Sequence, residues 1–152
     1  MQTRARAARV PLIFLQHFHA TVEALQPGSR GWAIHPDIAP TPADLVLGKT
    51  ASDGFYQTEL GQTLEDLGAT TIVVCGLQTE FCVDATCRSA LSHGFDVILA
   101  SGAHTTGNAV LEADQTIAHH EYALANLAHP DHAITVSRWQ DIAYDTGQEG
   151  KQ

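Results

Sequence analysis

The chain has 152 residues, enough for one domain with a buried core, and the composition of an ordinary globular protein. Its formal net charge of −9 argues against binding nucleic acid or an anionic membrane, since both call for a basic face. No apolar stretch is long enough to cross a bilayer, and polar and basic residues follow Met1 where a signal peptide would carry an apolar run, so a cytoplasmic location is expected.

Residues 3–9 are basic and alanine-rich and read as the end of a helix. Residues 11–17, PLIFLQH, read as a strand, with Pro11 tolerated at its first position. Residues 18–42 contain four prolines among Gly, Ser and Asp, which predicts a loop with at most one helical turn, long enough to suggest a functional role. Residues 45–49, LVLGK, read as a short strand near the sheet's edge. A helix is expected over 57–67, with Leu60, Leu64 and Leu67 on one face and Gly68 at its end. Residues 71–75 are mostly β-branched and apolar, the pattern of a strand buried on both faces of a parallel sheet, and Gly76 is expected to end it. From Cys82 onward Val83, Thr86, Cys87, Ala90 and Leu91 recur at helical spacing, with Gly94 as the C-terminal cap. A strand at 96–100, a helix at 111–127 with Ile117, Leu124 and Leu127 among its apolar positions, a last strand at 133–136 and a short helix at 139–144 complete the chain. The polar tail from Asp145 is expected to fray.

Strands that alternate with helices imply βαβ units, hence an α/β domain spanning residues 1–152 with a parallel sheet covered on both faces. Ligands bind such sheets beyond the carboxyl ends of the strands. That rule collects His17, Lys49, residues 76–82 and residues 101–104 along one edge.

Three cysteines are an odd count, and Cys75, Cys82 and Cys87 fall within one strand and one helix. Such spacing suits neither a disulfide framework nor a CxxC metal site, so thiols in a reducing compartment are expected. Cys82 falls in the first helical turn, where unpaired backbone N–H groups and the helix dipole favour an anion such as a thiolate. The competing reading is a small buried hydrophobe.

The string GLQTEFCV, with an apolar strand before it and a helix after it, closely resembles the nucleophile turn of the isochorismatase-like cysteine hydrolases. The resemblance extends from about Arg6 to Leu127 and includes VPLIFLQH, GSRGWAIHP, LVLGKTASDGFYQTEL and GFDVILASGAHTT. It implies a three-layer α/β/α, Rossmann-like sheet and a cofactor-independent hydrolase of a small-molecule amide or ester. Cys82 would be the nucleophile, Lys49 would favour its thiolate, and the backbone N–H groups of Gln78 and Cys82 would form the oxyanion hole. A cis peptide bond between Leu77 and Gln78 and a homodimer or higher homo-oligomer are further implications. Trp32, Phe55, Tyr56 and Phe81 are candidates for the apolar walls of a small pocket or for core packing. His17 and His104 are candidates for its polar edge, while His119 and His120, on the long helix, read as structural or as a subunit contact.

Two departures accompany the resemblance. The family's catalytic set includes an aspartate at the end of the first strand, in a string like VVDVQ, which serves as general base and acid. No such string is present here, and Asp53, Asp84 and Asp96 do not take its place; Glu80, two residues before Cys82, is a candidate whose side chain could point either way. The sheet is therefore expected to lack its first, central strand, as a shortened version of a longer product rather than by closure of the neighbouring strands or a strand from another chain. This opens a second reading, a non-catalytic domain that keeps the fold. The other departure is Gly102, which stands where the family usually has an aspartate. Nine histidines raise the question of a metal, but the Asp-x-His of the nicotinamidases is unmatched, because Gln16 and Phe18 flank His17 and no aspartate precedes His19 at that spacing. Neither metal nor cofactor is expected.

Overall fold

The structure is a computed structural model and describes residues 1–144; the tail from Asp145 lies outside the described residues. The chain gathers into two compact units, one formed by Met1–Thr50 with the segment from Ile142, the other by Ala51–Asp141. Both are α/β with parallel strand pairing.

In the first unit, helix α1 (Gln2–Ala7) precedes strand β1 (Ile13–His17), and β1 pairs in parallel with β2 (Leu45–Lys49). The register runs from Ile13 opposite Leu45 to His17 opposite Lys49, and the Phe18 N–H donates to the Lys49 carbonyl just beyond it. The loop between the strands contains two short 3-10 turns, Glu23–Leu25 and Pro36–Ile38, where at most one turn was expected. Side chains supply the partners its backbone lacks: the His19 ring accepts from the N–H groups of Thr21 and Val22, and Gln26 donates to the Ala20 carbonyl. The Arg6 guanidinium binds the Asp44 carboxylate at 2.6 Å and ties α1 to the entry of β2. The same carboxylate accepts from the Thr41 N–H and hydroxyl.

The second unit carries helix α2 (Leu60–Asp66), strand β3 (Thr71–Leu77), a π turn at Thr79–Val83, helix α3 (Asp84–Ser92), strand β4 (Asp96–Thr105), helix α4 (Ala113–Ala125) and strand β5 (Ile134–Arg138). Its sheet has the order β3-β4-β5, all parallel. Two successive crossovers of the same hand place α3 and α4 on one face, and the two helices pack against each other there. Val83, Thr86, Cys87, Ala90 and Leu91 are all buried, so the helical spacing read from the sequence is the buried stripe of the π turn and α3. Gly94 at φ 83° closes α3, with the Phe95 N–H reaching the Ala90 carbonyl and the Gly94 N–H the Leu91 carbonyl.

Four sequence expectations are corrected. Strand β3 is not buried on both faces; among the described residues it lies at the edge of its sheet, pairs with β4 alone, and exposes Thr71, Cys75 and Leu77. The buried central strand is β4, with Val97, Leu99 and Ala100 at 1% exposure or less. Gly76 does not end β3. It sits at φ 122° where the β3–β4 register shifts, so that Val74 faces Leu99 but Gly76 faces His104. The extra residues are on β4, which runs five residues past Ala100 to Thr105 through Gly102 at φ 75°. Helix α2 begins at Leu60 rather than residue 57, because Gln57 takes φ 51° and the Thr58 hydroxyl donates to the Gly54 carbonyl. Finally, residues 139–141 form a turn and no helix, with the Trp139 N–H donating to the Ser101 carbonyl and the Asp141 N–H to that of Arg138.

Candidate active site

The segment after β3 departs from regular structure at each step. The Leu77–Gln78 peptide bond is cis. The Gln78 carbonyl then accepts from the N–H groups of Phe81 and Val83, each at 3.2 Å, which opens the turn to π geometry. Cys82 sits in this turn, partly buried, and α3 starts two residues later at Asp84 rather than at Cys82 itself. Thr79 is fully buried below the turn, while Phe81 stands 53% exposed.

Polar side chains reach this segment from β4 and α4. The Thr79 hydroxyl lies 2.9 Å from Nδ1 of His104, and Nε2 of His104 lies 3.2 Å from Oε1 of Glu121 on α4. The carboxylate at Nε2 favours a proton on that nitrogen, and in the Nε2-H tautomer Nδ1 accepts from the Thr79 hydroxyl. The His104 side chain has no exposed area and that of Glu121 is 24% exposed. At the far end of the turn, Asp84 accepts from Arg88 at 2.7 and 3.0 Å and lies 3.0 Å from Nδ1 of His120. Burial alone would raise the Asp84 carboxyl, but the hydrogen bonds from Arg88 and His120 outweigh it and leave it below the ordinary value. Glu80 takes a hydrogen bond from the Thr106 hydroxyl at 2.8 Å. Residues two apart on a helical turn do not face each other, so Glu80 and Cys82 project differently.

In the other unit, Lys49 is buried at 4% exposure, unlike an ordinary solvated lysine. Its Nζ lies 3.2 Å from Nδ1 of His17. Burial, then the charge of Lys49, then His19 lower the His17 ring below its usual value, which favours the neutral form that can accept from the Lys49 ammonium. Gln16 donates to the backbone carbonyl of Trp32, which is half-buried.

The structure thus brings Gln78, Phe81 and Cys82 into one turn with His104 beneath, and His17 to Lys49. It puts Phe55 in the core, stacked on His93 with centroids 4.4 Å apart and beside Phe95. Tyr56 is 52% exposed. Both ring nitrogens of His104 are engaged inside the unit, by Thr79 and Glu121. Among the described residues, no group of three or more His, Cys, Asp or Glu converges as a metal site. Sequence reasoning did not single out Thr79 or Glu121. The signal for Glu121 was its place between Ile117 and Leu124 on the apolar stripe of α4, where a carboxylate needs a partner.

Comparison with known proteins bears on this arrangement. Over 104 residues the chain is 41% identical to a streptothricin hydrolase of Streptomyces noursei, covering 68% of this chain and 41% of that protein. It is 36% identical over 109 residues to a ureidoacrylate amidohydrolase of Methylobacterium radiotolerans, covering 71% of this chain and 39% of that one. The chain therefore spans about two fifths of the length of these curated relatives. A solved isochorismatase family protein, 32% identical, superposes with a TM-score of 0.75 over 88% of this chain and 77% of its own. An isochorismatase of Pseudomonas putida KT2440, 22% identical, shares the fold at a TM-score of 0.84 over 93% of this chain and 73% of its own. The Isochorismatase domain matches residues 1–141, and the chain belongs to that family.

Proposed function

We propose that this protein is a cysteine hydrolase that cleaves a small-molecule amide or related ester, with Cys82 as nucleophile and no cofactor. The observation that carries the reading is the π turn that holds a partly buried Cys82 between β3 and α3, in a chain whose similar relatives are named as a hydrolase and an amidohydrolase. The thiolate attacks the carbonyl carbon, a C–S bond forms, and the carbonyl π electrons move to oxygen, where the N–H groups of Gln78 and Cys82 hold the negative charge. Collapse breaks the C–N bond as the leaving amine takes up a proton from solvent, and water then hydrolyses the thioester to an acid and the thiol, which returns that proton to solvent as the thiolate re-forms. The resemblance assigns Lys49 the task of favouring the thiolate, and its burial suits a working lysine better than a solvated one. A homo-oligomer belongs to the same reading and rests on the resemblance alone.

The second reading is a domain that keeps the fold without turnover. Turnover separates the two. Ammonia or amine release from a panel of small amides and ureido acids, abolished by Cys82→Ala, is the expected result. Iodoacetamide labelling of the native protein, read by peptide mass, is the companion measurement. Labelling of Cys82 no faster than that of glutathione at neutral pH would end the nucleophile proposal.

A further inference from the structure

We infer that helix α4 positions the Cys82 turn from both ends, through the buried chain Thr79–His104–Glu121 and through the His120–Asp84 contact. The inference deepens the hydrolase reading and rests on it for the role of Cys82, while the clamp itself rests on geometry within one compact unit. Thr79 and Asp84 bracket Cys82 three residues before and two after. Each is held by a side-chain chain that ends on α4, at the consecutive residues Glu121 and His120. A π turn lacks the regular i→i+4 ladder that stiffens an α-helix, so side-chain anchors bear on where the sulfur sits.

The chain under Thr79 is also closed. The Thr79 residue and the His104 side chain have no exposed area, so water does not reach the contact between them, and removal of the Thr79 hydroxyl leaves Nδ1 of His104 buried and unpaired. Asp84 anchors the other end while also fixed by Arg88. Thr79, His104, Glu121, Asp84 and His120 are accordingly positioning residues. Their effect on chemistry passes through the backbone of 79–84.

The test compares Thr79→Val, which keeps the shape and removes the hydroxyl, with Thr79→Ser, which keeps the hydroxyl. Glu121→Ala is the second variant, chosen because Glu121 is partly exposed and its loss leaves the core filled. Two readouts are taken: deuterium uptake of the peptide covering 79–84, and the iodoacetamide rate at Cys82 divided by that at Cys75 in the same molecule. Thr79→Val and Glu121→Ala are expected to raise uptake in 79–84 but not in β4, and to lower the rate ratio by about fivefold, the scale of one lost hydrogen bond. Thr79→Ser is expected to stay within about twofold of the parent. Unchanged uptake and ratio in both disruptive variants overturn the inference, as does a uniform change across all peptides and cysteines, which is a plain loss of stability. Should the parent Cys82 prove no more reactive than glutathione while the uptake contrast holds, the nucleophile reading falls and the clamp stands.

Discussion

Lys49 Nζ lies 3.2 Å from Nδ1 of His17, at the last paired position of the β1–β2 ladder. The ammonium donates, so the imidazole accepts only while neutral. Burial of the ring and the adjacent charge both disfavour the imidazolium.

The first prediction concerns that ring. Its titration by NMR is expected at a midpoint below 6.5, and Lys49→Met is expected to move it part of the way back up. The linkage has a definite sign: the folded value is below the unfolded one, so the stability tied to neutral His17 is full above pH 6.5 and is lost as pH falls through the folded value. A midpoint at or above 6.5 would contradict the geometry.

Cys87 should behave as the opposite of a reactive thiol. Burial first, and the nearby Asp84 charge second, push it up to about 12. It is expected to resist iodoacetamide in the native protein and to react only after unfolding. Because the folded value exceeds the ordinary thiol value of 9.0, its stabilising contribution is present below pH 9.0 and lost as pH rises toward about 12. Labelling of Cys87 in native protein at neutral pH would show that α3 does not pack as described.

Asp44 has its carboxyl lowered to about 2, chiefly by the Arg6 hydrogen bond and then by the Thr41 N–H. The stabilisation is full above the ordinary value of 3.8 and disappears as pH drops through about 2. Asp44→Asn is therefore expected to be less stable than the parent at neutral pH, with the gap closing over that acid range. Urea unfolding at a series of pH values measures it, and a gap that persists in strong acid would refute the charge-based account.

Gly102 takes φ 75°, and a Cβ built there lies 3.4 Å from Cδ1 of Trp139. Gly102→Ala is expected to cost about 1–2 kcal/mol for the left-handed backbone. The Trp139 ring, in ordinary contact with that Cβ, is expected to stay in place, and urea unfolding measures the cost. A variant as stable as the parent would mean that the β4 irregularity relaxes freely.

Much of this was legible in the order of residues. The bounds of β2 agree with the apolar run 45–49, and the stripe of α3 agrees with its helical spacing because both are local properties of the chain. Gly68 and Gly94 were legible as helix stops, since positive φ at the end of a helix favours glycine. The cis bond after Leu77 came through resemblance, not from residue chemistry. Phe55 illustrates the limit: an aromatic in a loop suits a pocket wall or a core equally well, and only the position of His93 and Phe95 decides between them.

By itself, then, the sequence determined the alternation of strands and helices, the parallel pairing that follows from it, and the placing of Cys82 between a strand and a helix, because spacing and turn chemistry act within a few residues. Tertiary structure decided which strand is central, how far β4 extends past Ala100, and which partners close the buried polar chains. Thr79 and His104 are 25 residues apart, and His17 and Lys49 are 32 apart. A hydrogen bond over such separations is set by sheet register and helix packing, which no local pattern encodes.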